Sequence, residues 1–124
     1  MPKKLNILHV DDSEAIISLV KLMLLRGGKI NRILPARTVD EAKKILVTEK
    51  TDIVILDIHL PDGNGISLLK YIKENYPHVK ALMLTNHSDS YFRDAARKAG
   101  AEYFFDKSTE FEEAAKAISA CMLT

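Results

Sequence analysis

The feature that most constrains the fold of this chain is the segment IVIL at residues 53–56, four consecutive apolar residues between Asp52 and Asp57. A strand with one face in water alternates apolar and polar side chains, whereas a strand covered on both faces is apolar throughout. The segment therefore predicts a strand over residues 52–57 at the centre of a sheet that helices cover on both sides.

Apolar runs alternate with helical patterns along the rest of the chain. We predict further strands at residues 5–10, 31–36, 79–85 and 101–106, and helices at 13–26, 38–48, 66–75, 89–98 and 109–122. Gly27 and Gly28 are predicted to close the first helix. Pro35 lacks a backbone N–H, which places the second strand at an edge. The alternation predicts an α/β fold with a single doubly wound, five-stranded parallel sheet of order 2-1-3-4-5 and five helices, as in flavodoxin-like proteins.

Length and charge exclude several classes of protein. The 124 residues suit one domain, and 18 basic against 17 acidic residues leave a net charge of +1, which gives no footprint for nucleic acid or an anionic membrane. No apolar stretch approaches the roughly 20 residues of a spanning helix, and no signal peptide begins the chain. We expect residues 1–124 to form one domain, with no output domain in this chain. We also expect the protein to be cytoplasmic and to have no direct nucleic-acid or membrane partner.

Polar residues follow several predicted strands at the point where each strand ends. Asp11 and Asp12 follow the first strand, Asp57 ends the third, Thr85 ends the fourth, and Lys107 follows the fifth. Ligands of open parallel sheets bind beyond the carboxyl ends of the strands. These side chains should therefore share one end of the sheet.

Three neighbouring carboxylates repel one another unless a cation lies among them. Oxygen ligands of this kind suit Mg²⁺, and Lys107 would supply a second positive charge for a group with several negative oxygens. Taken singly, each residue has a simpler interpretation: Asp11 or Asp12 could cap the first helix, and the others could be ordinary loop or surface residues. Their order at successive strand ends favours a site.

On these residues the chain resembles the receiver domain of bacterial two-component response regulators, in the segments ILHVDDSEAI, VILDIHLPDGNG, LMLT and AGAEYFFDKS. The resemblance implies that Asp57 is the nucleophile that takes a phosphoryl group from a histidine kinase or a histidine phosphotransfer protein. It implies that Asp12 binds Mg²⁺ directly, Asp11 more loosely or through water, and the His59 backbone carbonyl as well. Such a chain catalyses its own phosphorylation and dephosphorylation and is not a conventional turnover enzyme.

The same resemblance implies a switch that an unknown downstream protein or output domain would detect. The Thr85 hydroxyl would move to bind the phosphoryl group, and the Phe104 ring would turn inward. Tyr103 is adjacent to Phe104, but strand alternation places the two side chains on opposite faces, and the spacing to Lys107 favours Phe104.

Several residues depart from the family pattern. Ser108 replaces a common proline, so the conformation of the Lys107–Ser108 peptide stays open. Asn86 replaces a small residue and could narrow access to Asp57 or donate a hydrogen bond to the phosphoryl group. His59 and His87 lie where they could flank the path of the attacking water, and we hypothesise that they tune the lifetime of the phosphate. The alternative is that both are loop residues without a role.

We assign no functional role to His9 or His78, which we interpret as structural or solvent-facing. In the first helix, a stripe is predicted to cover the sheet, and it comprises Ile16, Leu19, Val20, Met23 and Leu24. On the outer face, Ile17, Lys21 and Leu25 are predicted to contact the kinase or phosphotransfer partner.

Two other functions stay open. A flavin or nucleotide-binding protein could use the same sheet, although the acidic loop DDSEA lacks the glycines that cradle phosphate. A degenerate receiver that serves only as a binding module is the other, although the complete set of acids, hydroxyl and lysine argues against it.

Overall fold

A computed structural model of the protein describes residues 4–26 and 30–123. The predicted closure of the first helix by Gly27 and Gly28 lies outside these residues. Five parallel strands form the sheet: β1 (Leu5–Val10), β2 (Ile30–Ala36), β3 (Ile53–Leu56), β4 (Lys80–Thr85) and β5 (Tyr103–Asp106). They alternate with α1 (Glu14–Leu25), α2 (Val39–Thr48), α3 (Gly65–Asn75), α4 (Ser90–Lys98) and α5 (Phe111–Leu123).

The strand order is β2-β1-β3-β4-β5, which confirms the predicted topology. Pro35 lies in β2, which pairs with β1 alone, at the edge where a missing donor is tolerated. The last residues are in register within two pairs of strands, with Val10 opposite Leu56 and Thr85 opposite Asp106, whereas Leu56 lies opposite Met83 and β4 extends two residues further. The residues that follow these strands therefore emerge at a common edge.

The turn after β3 contains a feature that the sequence did not reveal. A two-stranded antiparallel hairpin pairs His59–Leu60 with Gly63–Asn64 directly beyond Asp57. Two residues per strand are too few to leave a periodic pattern, which is why we expected a loop here. The hairpin leads into α3, which Asn64 caps by accepting hydrogen bonds from two backbone N–H groups.

Two separate apolar clusters cover the faces of the sheet. One face packs against α2, α3 and α4 through the buried residues Leu8, Val10, Val54, Leu56, Ala81, Met83, Leu46, Leu69, Ile72 and Ala96. The other face packs against α1 and α5 through the buried residues Ile7, Ile53, Ile55, Leu82, Leu84, Val20, Leu24, Ala114 and Ile118. Burial of each large side chain contributes about 1.5–3 kcal/mol to folding, so β3 is apolar because both of its faces are core.

The first helix corrects one of our predictions. Val20 and Leu24 are buried as expected, but Leu19 is 46% exposed and does not cover the sheet. Because α1 packs with α5 on one face of the sheet, only a narrow stripe of the helix contacts the strands. Leu22 and Leu25 are also exposed, so α1 presents three leucines to solvent.

Gly65 is required by a close approach between α3 and the Asp57 turn. Its N–H donates a 2.6 Å hydrogen bond to the Ile58 carbonyl. A Cβ at this position would overlap the Asp57 carbonyl oxygen and lie 2.9 Å from the Asp57 carbonyl carbon. No side-chain rotation can relieve this overlap, because the opposing atoms belong to the backbone.

We therefore predict that Gly65→Ala lowers the free energy of unfolding by about 2–4 kcal/mol, as measured by urea denaturation. Gly63→Ala is the matched control, because its Cβ would meet only the Val39 side chain at 3.1 Å. Equal stability of the two variants would contradict the close approach.

Candidate functional site

The backbone brings the predicted site residues to one edge of the sheet. The N–H of Asp11 donates to the Ala36 carbonyl at 2.9 Å, and the N–H of Asp57 donates to the Val10 carbonyl at 3.0 Å. The N–H of Lys107 donates to the Thr85 carbonyl at 3.0 Å. The residue that follows each of these strands is thus still hydrogen-bonded to the adjacent strand. This bond fixes the direction in which the side chain of that residue points.

One ammonium group joins two of the carboxylates. Lys107 Nζ lies 2.6 Å from Asp11 Oδ2 and 2.8 Å from Asp57 Oδ2. Asp11 is fully buried, Asp57 is 7% exposed, and the Lys107 side chain is nearly buried. Although burial alone would lower the pKa of Lys107, its contacts with the Asp11 and Asp57 carboxylates, in which the ammonium is the donor, raise that pKa above its ordinary value. The lysine is therefore charged and shared.

The second oxygen of each buried carboxylate accepts a local backbone hydrogen bond. Ser13 N–H donates to Asp11 Oδ1 at 2.9 Å, and Ile58 N–H donates to Asp57 Oδ1 at 2.7 Å. The cap of α1 is Ser13, whose hydroxyl accepts from the N–H of Ile16 at 3.3 Å. Capping of α1 therefore does not account for Asp11 and Asp12. Asp12 is exposed at the mouth of the site.

The three carboxylates fit a hard divalent cation. Asp11, Asp12 and Asp57 each offer one oxygen, and these oxygens lie within 4.8 Å of one another. Burial raises the pKa of Asp11, and the hydrogen bond from Lys107 only partly opposes that shift. The cluster combines three carboxylates with the ammonium group of Lys107, and oxygen donors of this kind are the ones that Mg²⁺ prefers. The His59 carbonyl stays a predicted ligand.

The two predicted switch residues lie on neighbouring strands. Thr85 is fully buried, and its Oγ1 accepts a 3.2 Å hydrogen bond from the N–H of His87. Phe104 is half-buried and packs against the apolar cluster between the sheet and α2, α3 and α4, whereas Tyr103 packs on the opposite face of the sheet. This confirms the prediction that the two side chains point to opposite faces. The Arg93 guanidinium lies 4.8 Å from the centroid of the Phe104 ring.

A polar network that sequence reasoning missed surrounds the loop carrying Lys107. Asp106 accepts hydrogen bonds from Ser88 Oγ at 2.5 Å and from the N–H groups of Ser108 and Thr109 at 2.7 and 3.1 Å. These bonds, led by that of the Ser88 hydroxyl, lower the pKa of Asp106. Asp106 directly precedes Lys107, and this position in the sequence was the signal from which its role beside the site could have been predicted.

A second part of this network connects α4 to α5. Arg93 donates from Nε to the Ser88 carbonyl at 2.9 Å and from Nη2 to Glu110 at 2.8 Å. Glu110 also accepts from the N–H of Asp106 at 3.0 Å. The network holds the loops after β4 and β5 together beside Phe104.

Asn86 and Ser108, the two departures from the family pattern, contact each other. Ser108 Oγ donates to Asn86 Oδ1 at 3.1 Å, so the loops after β4 and β5 are joined at the rim of the site. No peptide bond in the described residues is cis, which resolves the conformation of Lys107–Ser108 as trans.

The structure also brings His59 and His87 together. Their ring centroids lie 3.9 Å apart in an edge-on arrangement, and the Phe92 ring is 6.0 Å from that of His59 and 6.1 Å from that of His87. Both histidines are exposed. The loops after Asp57 and Thr85 thus form an imidazole pair at the edge that carries the site.

His9 is a site neighbour that we did not recognise from sequence. It is fully buried, and its Nε2 lies 4.0 Å from Asp11 Oδ2. Burial first, and the Lys107 charge second, lower the pKa of His9 to about 4, while Asp57 acts in the opposite direction. The available signal was its position two residues before Asp11, because residues at that spacing point to the same side of a strand.

Comparison with known proteins identifies the family. The family described as Response regulator receiver domain matches residues 7–119. The chain belongs to this family. As a receiver domain of two-component systems it carries carboxylates, a hydroxyl and a lysine at one edge of the sheet, which is consistent with a phosphoacceptor role.

The relatives of this receiver domain are named as regulators. It is 36% identical over 104 residues to the DNA-binding transcriptional regulator NtrC of Proteus hauseri, which covers 84% of this chain and 21% of the relative. It is 36% identical over 100 residues to the response regulator protein PilR of Pseudomonas aeruginosa, covering 81% and 22%. The chain therefore spans about a fifth of the length of these two relatives.

A solved structure supports the fold. The CheY-like response regulator receiver domain protein from Methanospirillum hungatei superposes with a TM-score of 0.87 at 26% identity, over 97% of this chain and 94% of the other. Within residues 4–26 and 30–123, none of the helices has the length and apolar character needed to cross a bilayer.

The lowered pKa of His9 predicts a pH dependence of stability. Between pH 6.5 and about 4 the unfolded chain binds a proton at His9 that the folded protein excludes, so stability falls as the pH falls through this range. The loss in the metal-free protein should approach about 3 kcal/mol at the acid end. Urea denaturation at pH 7 and pH 4.5 in the presence of a chelator measures it.

His9→Leu is the matched variant for this measurement, because it removes the titrating group and keeps the side chain apolar and of similar size. Asp11, whose raised pKa acts in the opposite sense, is present in both proteins and cancels in the comparison. An equal loss of stability in the wild type and His9→Leu would contradict the assignment to His9.

Proposed function

We propose that this receiver domain accepts a phosphoryl group on Asp57 in a Mg²⁺-dependent reaction, and that phosphorylation switches a protein-interaction surface. The observation that carries the proposal is the shared ammonium of Lys107, held 2.8 Å from Asp57 Oδ2 beside two further carboxylates. A mere surface carboxylate would need neither the buried lysine nor the acidic neighbours.

The chemistry is a transfer between a nitrogen and an oxygen. One Asp57 oxygen attacks the phosphorus of a phosphohistidine, the O–P bond forms as the N–P bond breaks, and the imidazole keeps the electron pair and takes up a proton. When the signal is terminated by hydrolysis, water attacks the phosphorus, the Asp57 carboxylate leaves, and inorganic phosphate is released. The protein contributes mainly by positioning and electrostatics.

Each site residue has a distinct task in this proposal. When bound, Mg²⁺ supplies positive charge against the transferring group, and Asp11, Asp12 and Asp57 would hold it, together with the His59 carbonyl. Lys107 donates to the phosphoryl oxygens from its place between Asp11 and Asp57. The hydrogen bond from Ile58 N–H to Asp57 Oδ1 holds the carboxylate in one orientation.

Thr85 and Phe104 form the switch in our proposal. Because Thr85 Oγ1 already accepts from the His87 N–H, its hydroxyl proton is available for donation to a phosphoryl oxygen. Movement of Thr85 would displace the loop after β4, which contains Ser88. The Ser88 carbonyl accepts a hydrogen bond from Arg93, and the Arg93 guanidinium lies over the Phe104 ring. The Phe104 environment should therefore report the state of Asp57.

The phosphoryl donor in this proposal is a histidine kinase or a histidine phosphotransfer protein. The outer face of α1 supports such a contact, because Leu22 and Leu25 are 63% and 51% exposed next to the half-buried Ile17. The downstream partner, another protein or an output domain, would read the surface around Phe104. A cytoplasmic setting belongs to the same proposal and rests on family membership.

Phosphorylation of Asp57 can be tested directly. Incubation of the chain with acetyl phosphate and Mg²⁺ should add one phosphoryl group by intact mass, and the aromatic NMR signals of Phe104 should shift at the same time. Asp57→Asn is the control, since it keeps the size of the side chain but removes the nucleophile. A chelator should also abolish the reaction.

Phosphate at another residue, or none in the folded wild type, would contradict the proposal. Absence of phosphate is what a receiver that acts only as a binding module would show, and bound flavin would indicate the flavodoxin-like alternative. Transfer from a phosphohistidine-bearing protein under the same conditions tests the class of donor.

His59 and His87 are proposed to shield the phosphate from water. Their rings contact each other beyond Asp57 and Thr85, so removal of both should open a path for water and shorten the phosphate lifetime severalfold. The decay of phosphorylated His59→Ala/His87→Ala, followed by intact mass, measures this. His78→Ala, at an exposed histidine before β4, is the control, and an unchanged decay rate in the double variant would dispose of the idea.

A further inference from the structure

His9 is a buried polar group that the proposed chemistry leaves unused. Its side chain is fully buried, and in the part of the chain that the structure describes neither Nδ1 nor Nε2 has a hydrogen-bond partner. Folded proteins satisfy nearly all buried polar atoms, so an imidazole with two unpaired nitrogens needs a physical reason. Its neighbours in the sheet, Pro35 and Ile55, offer no side-chain partner.

The polar group nearest to His9 is a carboxylate of the site. His9 Nε2 lies 4.0 Å from Asp11 Oδ2, which is beyond a hydrogen bond by about 1 Å. The Lys107 and Asp57 charges also act on the ring. His9 is therefore located beneath the acidic cluster, on the side of the sheet that faces α1 and α5.

The hydrogen bonds of Asp11 show what is missing. Asp11 Oδ1 accepts a hydrogen bond from the Ser13 N–H, whereas Asp11 Oδ2 forms an ion pair with Lys107 at 2.6 Å and has no hydrogen bond of good geometry within the described residues. Lys107 is shared with Asp57. A phosphoryl group on Asp57 would carry a charge of about −2 and would compete strongly for that ammonium. A fully buried carboxylate oxygen that already lacks a hydrogen-bond donor would then lose its cationic partner as well, which is costly.

We propose that His9 is a positioning residue for Asp11, whose Nε2–H donates a hydrogen bond to Asp11 Oδ2 when Lys107 leaves that oxygen for Asp57. The inference rests on the proposed function. It explains why an imidazole with a free donor is buried at a position where an apolar residue would pack equally well. The bond would hold Asp11 in its metal-binding orientation while the lysine serves the phosphoryl group.

The effect on metal binding follows from the general role of such partners. A hydrogen-bond donor behind a metal-ligating side chain fixes its orientation, and loss of the donor typically weakens metal binding by about 10- to 100-fold. His9→Leu removes the donor at nearly constant volume. His9→Gln keeps an amide donor at about the reach of Nε2 and is the rescue variant.

Removal of the lysine tests the inference without phosphorylation. In Lys107→Met the Asp11 Oδ2 has permanently lost its cationic partner, so His9 should donate a hydrogen bond to it. ¹⁵N NMR of the histidine side chains should show His9 as the Nε2–H tautomer, with its imidazole proton shifted downfield from its position in the wild type. His78, which is exposed before β4, should be unchanged.

Mg²⁺ affinity provides the second readout, by calorimetry in the Lys107→Met background. Adding His9→Leu should weaken Mg²⁺ binding about tenfold, and adding His9→Gln should restore most of it. If Lys107→Met does not fold, the wild type with acetyl phosphate and Mg²⁺ yields the same ¹⁵N measurement.

Unchanged His9 signals in Lys107→Met overturn the inference, whatever happens to the affinity. Changed signals with equal Mg²⁺ affinity of the His9→Leu and His9→Gln variants also overturn it, because a positioning role requires the donor. Failure of the proposed function is separate, since it appears as the absence of phosphate on Asp57 in the wild type.

Discussion

The sharing of one ammonium group by two buried carboxylates is the interaction on which the rest of this structure depends. Lys107 Nζ is 2.6 Å from Asp11 and 2.8 Å from Asp57, and the three residues follow three different strands. Burial of such charges costs several kcal/mol per ion, and removal of one partner costs about 3–5 kcal/mol because an unbalanced charge is left behind. Three carboxylates against one lysine leave the site short of positive charge. In our proposal the site therefore serves to receive cationic and phosphoryl groups rather than to stabilise the fold.

The loops at this edge are joined in a way that allows movement. The strands below them are held by backbone ladders, whereas the loops after β4 and β5 are held by side chains, through Ser88 to Asp106, Ser108 to Asn86 and Arg93 to Glu110. Neutral hydrogen bonds contribute about 0.5–1.5 kcal/mol each, and hydrogen bonds to charged groups about 1.5–3 kcal/mol. In our proposal, contacts with a phosphoryl group replace some of them. The same network ends at the ring of Phe104, and in our proposal a change at Asp57 reaches the surface by this route.

Much of the fold and of the site could be predicted from local patterns. The uninterrupted apolar run of β3 and the proline in β2 were enough to predict the centre and the edge of the sheet, and strand ends were enough to bring Asp11, Asp57, Thr85 and Lys107 together. Predictions were poorer where the pattern was short or where geometry decided. The hairpin after Asp57 has two residues per strand, and Leu19 is exposed because only a narrow stripe of α1 reaches the sheet.

The sequence alone determined the order of strands, the residues of the acidic edge and the family, because periodicity and strand ends are local properties of the chain. Only the tertiary structure decided that Lys107 is divided between Asp11 and Asp57 and that Asp106 anchors the loop beside it. It also decided that His9 is buried next to Asp11 with no hydrogen-bond partner among residues 4–26 and 30–123. These facts depend on distances between side chains from separate strands. Such distances arise from packing of the whole sheet, and no short segment encodes them.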